Sequence, residues 1–153
     1  MEALSYARVH EHLGKLKLAR VAAVLDRVAE EAVRQELPYT EFLNRLLEEE
    51  VSIRLARTVE MRTKLARFPF IKSLDQFDFS FQPSLDERLV RDLATLRFIA
   101  NAENVIFLGP PGVGKTHLAV ALGLAAIAQG QHVHFISASE LTNLSPEQMP
   151  ARL

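Results

Sequence analysis

Residues 104–117 read NVIFLGPPGVGKTH, and no other stretch narrows the possible folds of this chain as much. A short apolar run enters a Gly/Pro-rich turn, and a long Ala-rich segment leaves it. The turn has the spacing G-x-x-x-x-G-K-[ST], met by Gly109, Gly114, Lys115 and Thr116. Gly112 and Gly114 permit backbone conformations that a side chain would forbid. The amides of Gly112, Val113, Gly114, Lys115 and Thr116 can then turn inward on phosphate oxygens. The helix that starts there adds its positive dipole end. Pro110 and Pro111 stiffen the loop entry. Lys115 supplies a point charge for β- and γ-phosphates, and Thr116 supplies a hydroxyl ligand for a Mg²⁺ that keeps several of its waters. The candidate triphosphate-binding residues are therefore Gly109, Pro110, Pro111, Gly112, Val113, Gly114, Lys115 and Thr116, with Thr116 the metal contact through the nucleotide. His117 reads as packing on the helix flank, and no catalytic residue is assigned.

The surroundings predict strand, loop, helix, strand. The run 104–108 is of the buried parallel-strand type. A helix over 115–129 is closed by Gly130, a second strand covers 132–136, and Ser137 with Glu140 offers a capping box. Upstream, Ser84 and Glu87 offer another, opening a helix with Leu85, Leu89, Leu93 and Leu96 on one face and an end near Asn101. Between 67 and 84 the chain is aromatic and proline-punctuated and reads as a linker. Its Phe68, Phe70, Phe77, Phe79 and Phe81 supply core anchors, with one or two of them available to wall an adenine pocket.

The N-terminal part has helical periodicity. Leu18, Val21, Ala22, Leu25, Val28, Ala29 and Ala32 share one face of a helix over 16–36 that Pro38 stops. Thr40 caps a second helix with the stripe Leu43, Leu46, Leu47 and Val51, packed on the first. From 52 to 72 the balance turns basic. On a helix Arg54, Arg57, Lys64 and Arg67 share a broad side that fits phosphates along a duplex, or is simply a solvated face. Residues 1–72 hold thirteen Lys/Arg against eleven Asp/Glu, and 73–153 hold five against eight. The absence of cysteine excludes disulfides, thiolate metal sites and a cysteine nucleophile. With no signal-like start and no apolar run long enough for a bilayer, the expectation is a cytoplasmic protein with no membrane partner.

These residues resemble a known family. RFPFIKSLDQFDFSFQPSLDERLVRDLATLRFIANAENVIFLGPPGVGKTHLAVALGLAAIAQGQHVHF is similar to the IstB-type ATP-binding proteins of insertion sequences, helper ATPases that accompany a transposase and are related to DnaC-type helicase loaders. LKLARVAAVLDRVAEEAVRQELPYTEFLNRLLEEEV resembles the helical N-terminal domain of the same family, so the likeness runs over about 15–141. It implies an α/β P-loop, AAA+-like module with an incomplete parallel sheet behind an all-helical N-terminal domain, divided as 1–72 and 73–153. It also implies ATP and Mg²⁺ as cofactors, and duplex DNA, a transposase and further copies of the chain as partners. By the same resemblance Phe77, Asp78 and Phe79 approach the adenine.

The end of the chain departs from the family pattern. Family members continue into an acidic Walker B strand, a sensor residue and an arginine that acts on a neighbour's nucleotide. After 132–136 only SASELTNLSPEQMPARL remains. Ser139, Glu140 and Glu147 follow no hydrophobic strand, and the helix start at Ser145 and Pro146 is cut off by Pro150. The expectation is a truncated or frameshifted copy of a transposition helper, or else a fragment of one, that binds ATP without hydrolysing it. The alternatives are a DnaC-like helicase loader, a helical DNA- or protein-binding module with a vestigial ATPase half, and a remnant without function.

Overall fold

A computed structural model describes residues 2–143. The expected helix start at Ser145 and Pro146, and Glu147, lie outside the described residues. The chain divides into two compact units, 1–58 and 59–153.

The first unit is built from α1 (Glu2–Lys15), α2 (Ala19–Arg34) and the N-terminal part of α3 (Tyr39–Leu65). Val21, Val24 and Val28 recur at helical spacing along α2 and are buried with Leu46 of α3; Leu13, Leu18, Leu25 and Phe42 pack around them. The face of α3 differs from the expected stripe. Leu46 is buried, but Leu43, Leu47 and Val51 are exposed. The inward ridge instead holds Phe42, Leu46 and Glu50, four residues apart on one side of the helix. Glu50 is only 6% exposed. Its carboxylate accepts from the Arg20 amide at 3.0 Å, the Val21 amide at 3.3 Å and Arg54 Nε at 2.8 Å. It therefore caps the start of α2 from a neighbouring helix, where orphan amides and the dipole favour an anion.

The second unit is organised around α6 (Lys115–Ala128), whose Leu118, Val120, Ala121, Leu122, Ala126 and Ile127 are buried. It ends in a Schellman motif: Gly130 N donates to Ile127 O and Gln131 N to Ala126 O, both at 2.9 Å, with Gly130 at φ +88°. Before it lie two single 3₁₀ turns, Leu74–Gln76 and Phe79–Phe81, then α4 (Glu87–Leu93) and α5 (Arg97–Ala100). Asp86 caps α4, accepting from the Arg88 amide at 2.8 Å; Ser84 is not the cap. After α6 comes α7 (Ala138–Asn143), opened by the expected capping box. Ser137 N donates to Glu140 Oε2 at 2.9 Å and Glu140 N donates to Ser137 Oγ at 3.2 Å.

The expected α/β architecture is not the one the chain adopts. Among the described residues there is no strand and no sheet. Segments 104–108 and 132–136 alternate as strands do, with Val105, Phe107, Val133 and Phe135 turned into half-buried positions. Their outer faces stay open: Ile106 is 77% and Leu108 90% exposed. A ladder needs a lateral partner for its amides and carbonyls. Neither segment has one among the described residues; the bond from Phe135 N to Ala66 O at 2.8 Å joins 132–136 to a residue just beyond α3. The apolar runs that marked these segments as strands do not by themselves supply a partner, and pairing, which depends on distant residues, did not follow. No described helix is long and apolar enough to cross a membrane.

Candidate phosphate-binding loop

The loop holds Gly112 at φ +83° and Gly114 at φ +89°, in the left-handed region. Gly114 is the N-cap of α6, with no side chain capping it. None of the Gly112, Val113 and Gly114 amides donates to a backbone carbonyl among the described residues. The first-turn amides of α6 have no intrahelical acceptor, as at any helix start. The space beside Gly112 is open, with nothing within 4 Å of where a Cβ would stand. The residues thus leave N–H groups without a protein acceptor at the positive end of a helix, which suits an anion.

Lys115 folds back onto the loop entry. Its Nζ donates to Gly109 O at 2.8 Å and Pro110 O at 2.6 Å, which leaves one of its three donors. Thr116 is exposed on the first turn of α6. A lone hydroxyl at this position fits a Mg²⁺ whose remaining ligands are phosphate oxygens and water. A groove of about 650 Å³ runs beside the loop, between α4 residues such as Leu89 and Val90 and the segment leading to Gly109, with Lys115 also on its wall.

Behind the loop sits a cluster that sequence reasoning did not assemble. The Phe77 ring edge takes the place of a Gly114 side chain: a Cβ there would stand 2.6 Å from Phe77 Cε2. Phe77 meets Phe79 edge-on at 4.9 Å between centroids and His117 at 5.2 Å. His117 Nε2 lies 3.0 Å from Ser73 O, so this nitrogen carries the proton and donates. The sequence signal for the cluster was the Phe77–Phe79 block and a histidine directly after the loop, but not their packing together. Asp78 turns to Ser80, accepting from its hydroxyl at 2.6 Å and its amide at 2.9 Å, and these bonds hold its carboxyl below the usual range.

The basic candidates have different surroundings. Arg54 is tied to Glu50 and donates to Lys17 O at 2.9 Å. Lys64 pairs with Glu60 at 2.6 Å. Arg57 makes no ion pair or side-chain hydrogen bond among the described residues. Arg67 lies beyond the end of α3, at φ +59°, and is exposed.

Known proteins are similar in sequence across both units. Residues 11–151 match the family described as IstB-like ATP binding protein. The chain is 47% identical over 136 residues to the proposed ATP-binding protein of insertion sequence IS5376 from Geobacillus stearothermophilus, covering 89% of this chain and 54% of that protein. It is 47% identical over 129 residues to the corresponding protein of IS21 from Pseudomonas aeruginosa, covering 84% and 49%. For the protein of IS232 from Bacillus thuringiensis subsp. berliner the values are 37% over 150 residues, 97% and 60%. The chain spans about half the length of the curated relatives it matches. A match through both units, with the glycine loop inside it, leads to one conclusion: this chain belongs to the IstB-like ATP binding protein family.

Proposed function

We propose that the chain binds ATP through the loop 109–116, as the nucleotide-holding part of a helper for insertion-sequence transposition that works beside a transposase. The observation that carries this reading is the set of amides from Gly112 to the first turn of α6 with no protein acceptor, beside a Lys115 ammonium held on the Gly109 and Pro110 carbonyls. Gly112, Val113, Gly114, Lys115 and Thr116 would hold the phosphates, and Thr116 a nucleotide-bound Mg²⁺. The nucleotide brings the anionic oxygens; the chain contributes preformed donors. The test is equilibrium binding of labelled ATP with Mg²⁺ by the 153-residue chain. Lys115→Ala removes a charge-assisted interaction of roughly 1.5–3 kcal/mol, so affinity falls about tenfold or more. Equal affinity of the two proteins would reject the reading.

Duplex DNA is the proposed second partner, reached through Arg57, Lys64 and Arg67. Arg54 serves the fold of the first unit through Glu50. Removing one side chain that neutralises a phosphate should flatten the slope of log affinity against log salt by about 0.9. Arg57→Ala, Lys64→Ala and Arg67→Ala should each do so, and an unchanged slope in the triple variant would move the DNA-binding surface elsewhere.

A further inference from the structure

We infer that Phe77 and His117 are positioning residues for the phosphate-binding loop, and that they set its grip from behind without touching the nucleotide base. The inference rests on the nucleotide reading above and adds a mechanical part to it. Gly114 is the pivot: its left-handed φ of +89° turns the chain from the loop into α6. The one direction a side chain would occupy at that pivot is filled by the Phe77 ring edge, 2.6 Å from the Cβ position. The ring blocks movement of the Gly114 backbone toward it. It is itself held by His117, edge-on at 5.2 Å, one residue past Thr116. His117 is fixed by donation from Nε2 to Ser73 O at 3.0 Å and by the edge of Phe70 at 6.3 Å.

The entry segment and the first turn of α6 therefore form a closed circuit: Ser73 carbonyl, His117 ring, Phe77 ring, Gly114 backbone. The amides that face a phosphate lie on either side of the last member. A donor array held in place loses less freedom when an anion arrives, so locking the pivot raises affinity without touching the ligand. Substituting either side chain leaves every loop amide and the Lys115 ammonium in the chain. A loss of binding then reports geometry.

The experiment compares two probes on the full chain: ATP with Mg²⁺, and inorganic tripolyphosphate with Mg²⁺, which has phosphates but no base or sugar. Phe77→Ala and His117→Leu should weaken both probes by the same factor, about tenfold for the removal of one ordering interaction. His117→Gln, which keeps an amide donor for Ser73 O, should recover most of that loss. Should Leu at position 117 unfold the second unit, seen as lost helical circular dichroism, Phe77→Leu carries the same comparison. Weakened ATP with unchanged tripolyphosphate would mean that these rings meet the base, and would overturn the inference while sparing the nucleotide reading. Unchanged affinity for both probes would also overturn it. Failure of the unsubstituted chain to bind either probe would remove the nucleotide reading itself.

Discussion

At the residue scale, the clearest case of chemistry set by surroundings is Glu50. Burial alone would raise its carboxyl, but Arg54 and the amides of Val21 and Arg20 outweigh burial and hold it below the ordinary 4.5. A depressed folded value stabilises the folded state above the unfolded value and loses that contribution as pH falls through the folded one. Protection of the Val21 amide from hydrogen exchange should therefore decline on acidification below about pH 4.5. Glu50→Gln should begin with lower protection at neutral pH and show a flatter acid decline. Identical profiles would mean that Glu50 does not cap α2. The residue was not legible in the sequence. It stands last in an acidic run, Glu48, Glu49, Glu50, and nothing in composition marks which of three adjacent acids turns inward. The left-handed backbone at Gly112 and Gly114 was legible, because a glycine's conformational freedom is called on within a few residues.

At the scale of elements, α6 sets the second unit. Gly123 lies where the helix meets Phe68; a Cβ there would stand 2.7 Å from Phe68 Cζ and 2.9 Å from Cε1. Gly123→Ala gains about 0.8–1.0 kcal/mol of helix propensity but overpacks this junction at a cost of about 1–3 kcal/mol. The substitution should be net destabilising, and chemical denaturation read by circular dichroism decides the sign. Ile127→Ala, at a site 1% exposed, should cost about 2–5 kcal/mol by the same measurement. What could be read in advance follows the range of each interaction. The Ser137–Glu140 box and the Gly130 stop are made within six residues, and both formed where the sequence placed them. At α4 two local signals competed, and Asp86, two residues nearer the helix, took the cap from Ser84. For α3 the period was right and the face wrong, because which side meets α2 is decided by packing. The two expected strands failed for the same reason: a short apolar run marks a candidate strand, and only a neighbour completes a sheet.

At the scale of the whole chain, residues matching one family run through both units, and the match spans about half the length of the relatives. Nucleotide binding, as proposed, uses a single short arc of the second unit, held from behind by Phe77 and His117. The most direct test is an amide-resolved NMR titration of the 153-residue chain with ATP and Mg²⁺. Saturable shifts should concentrate at the amides of Gly112, Val113, Gly114, Lys115 and Thr116, and Lys115→Ala should move their midpoint to about tenfold higher ATP or more. Saturable shifts that leave those five amides unmoved would contradict the proposed site.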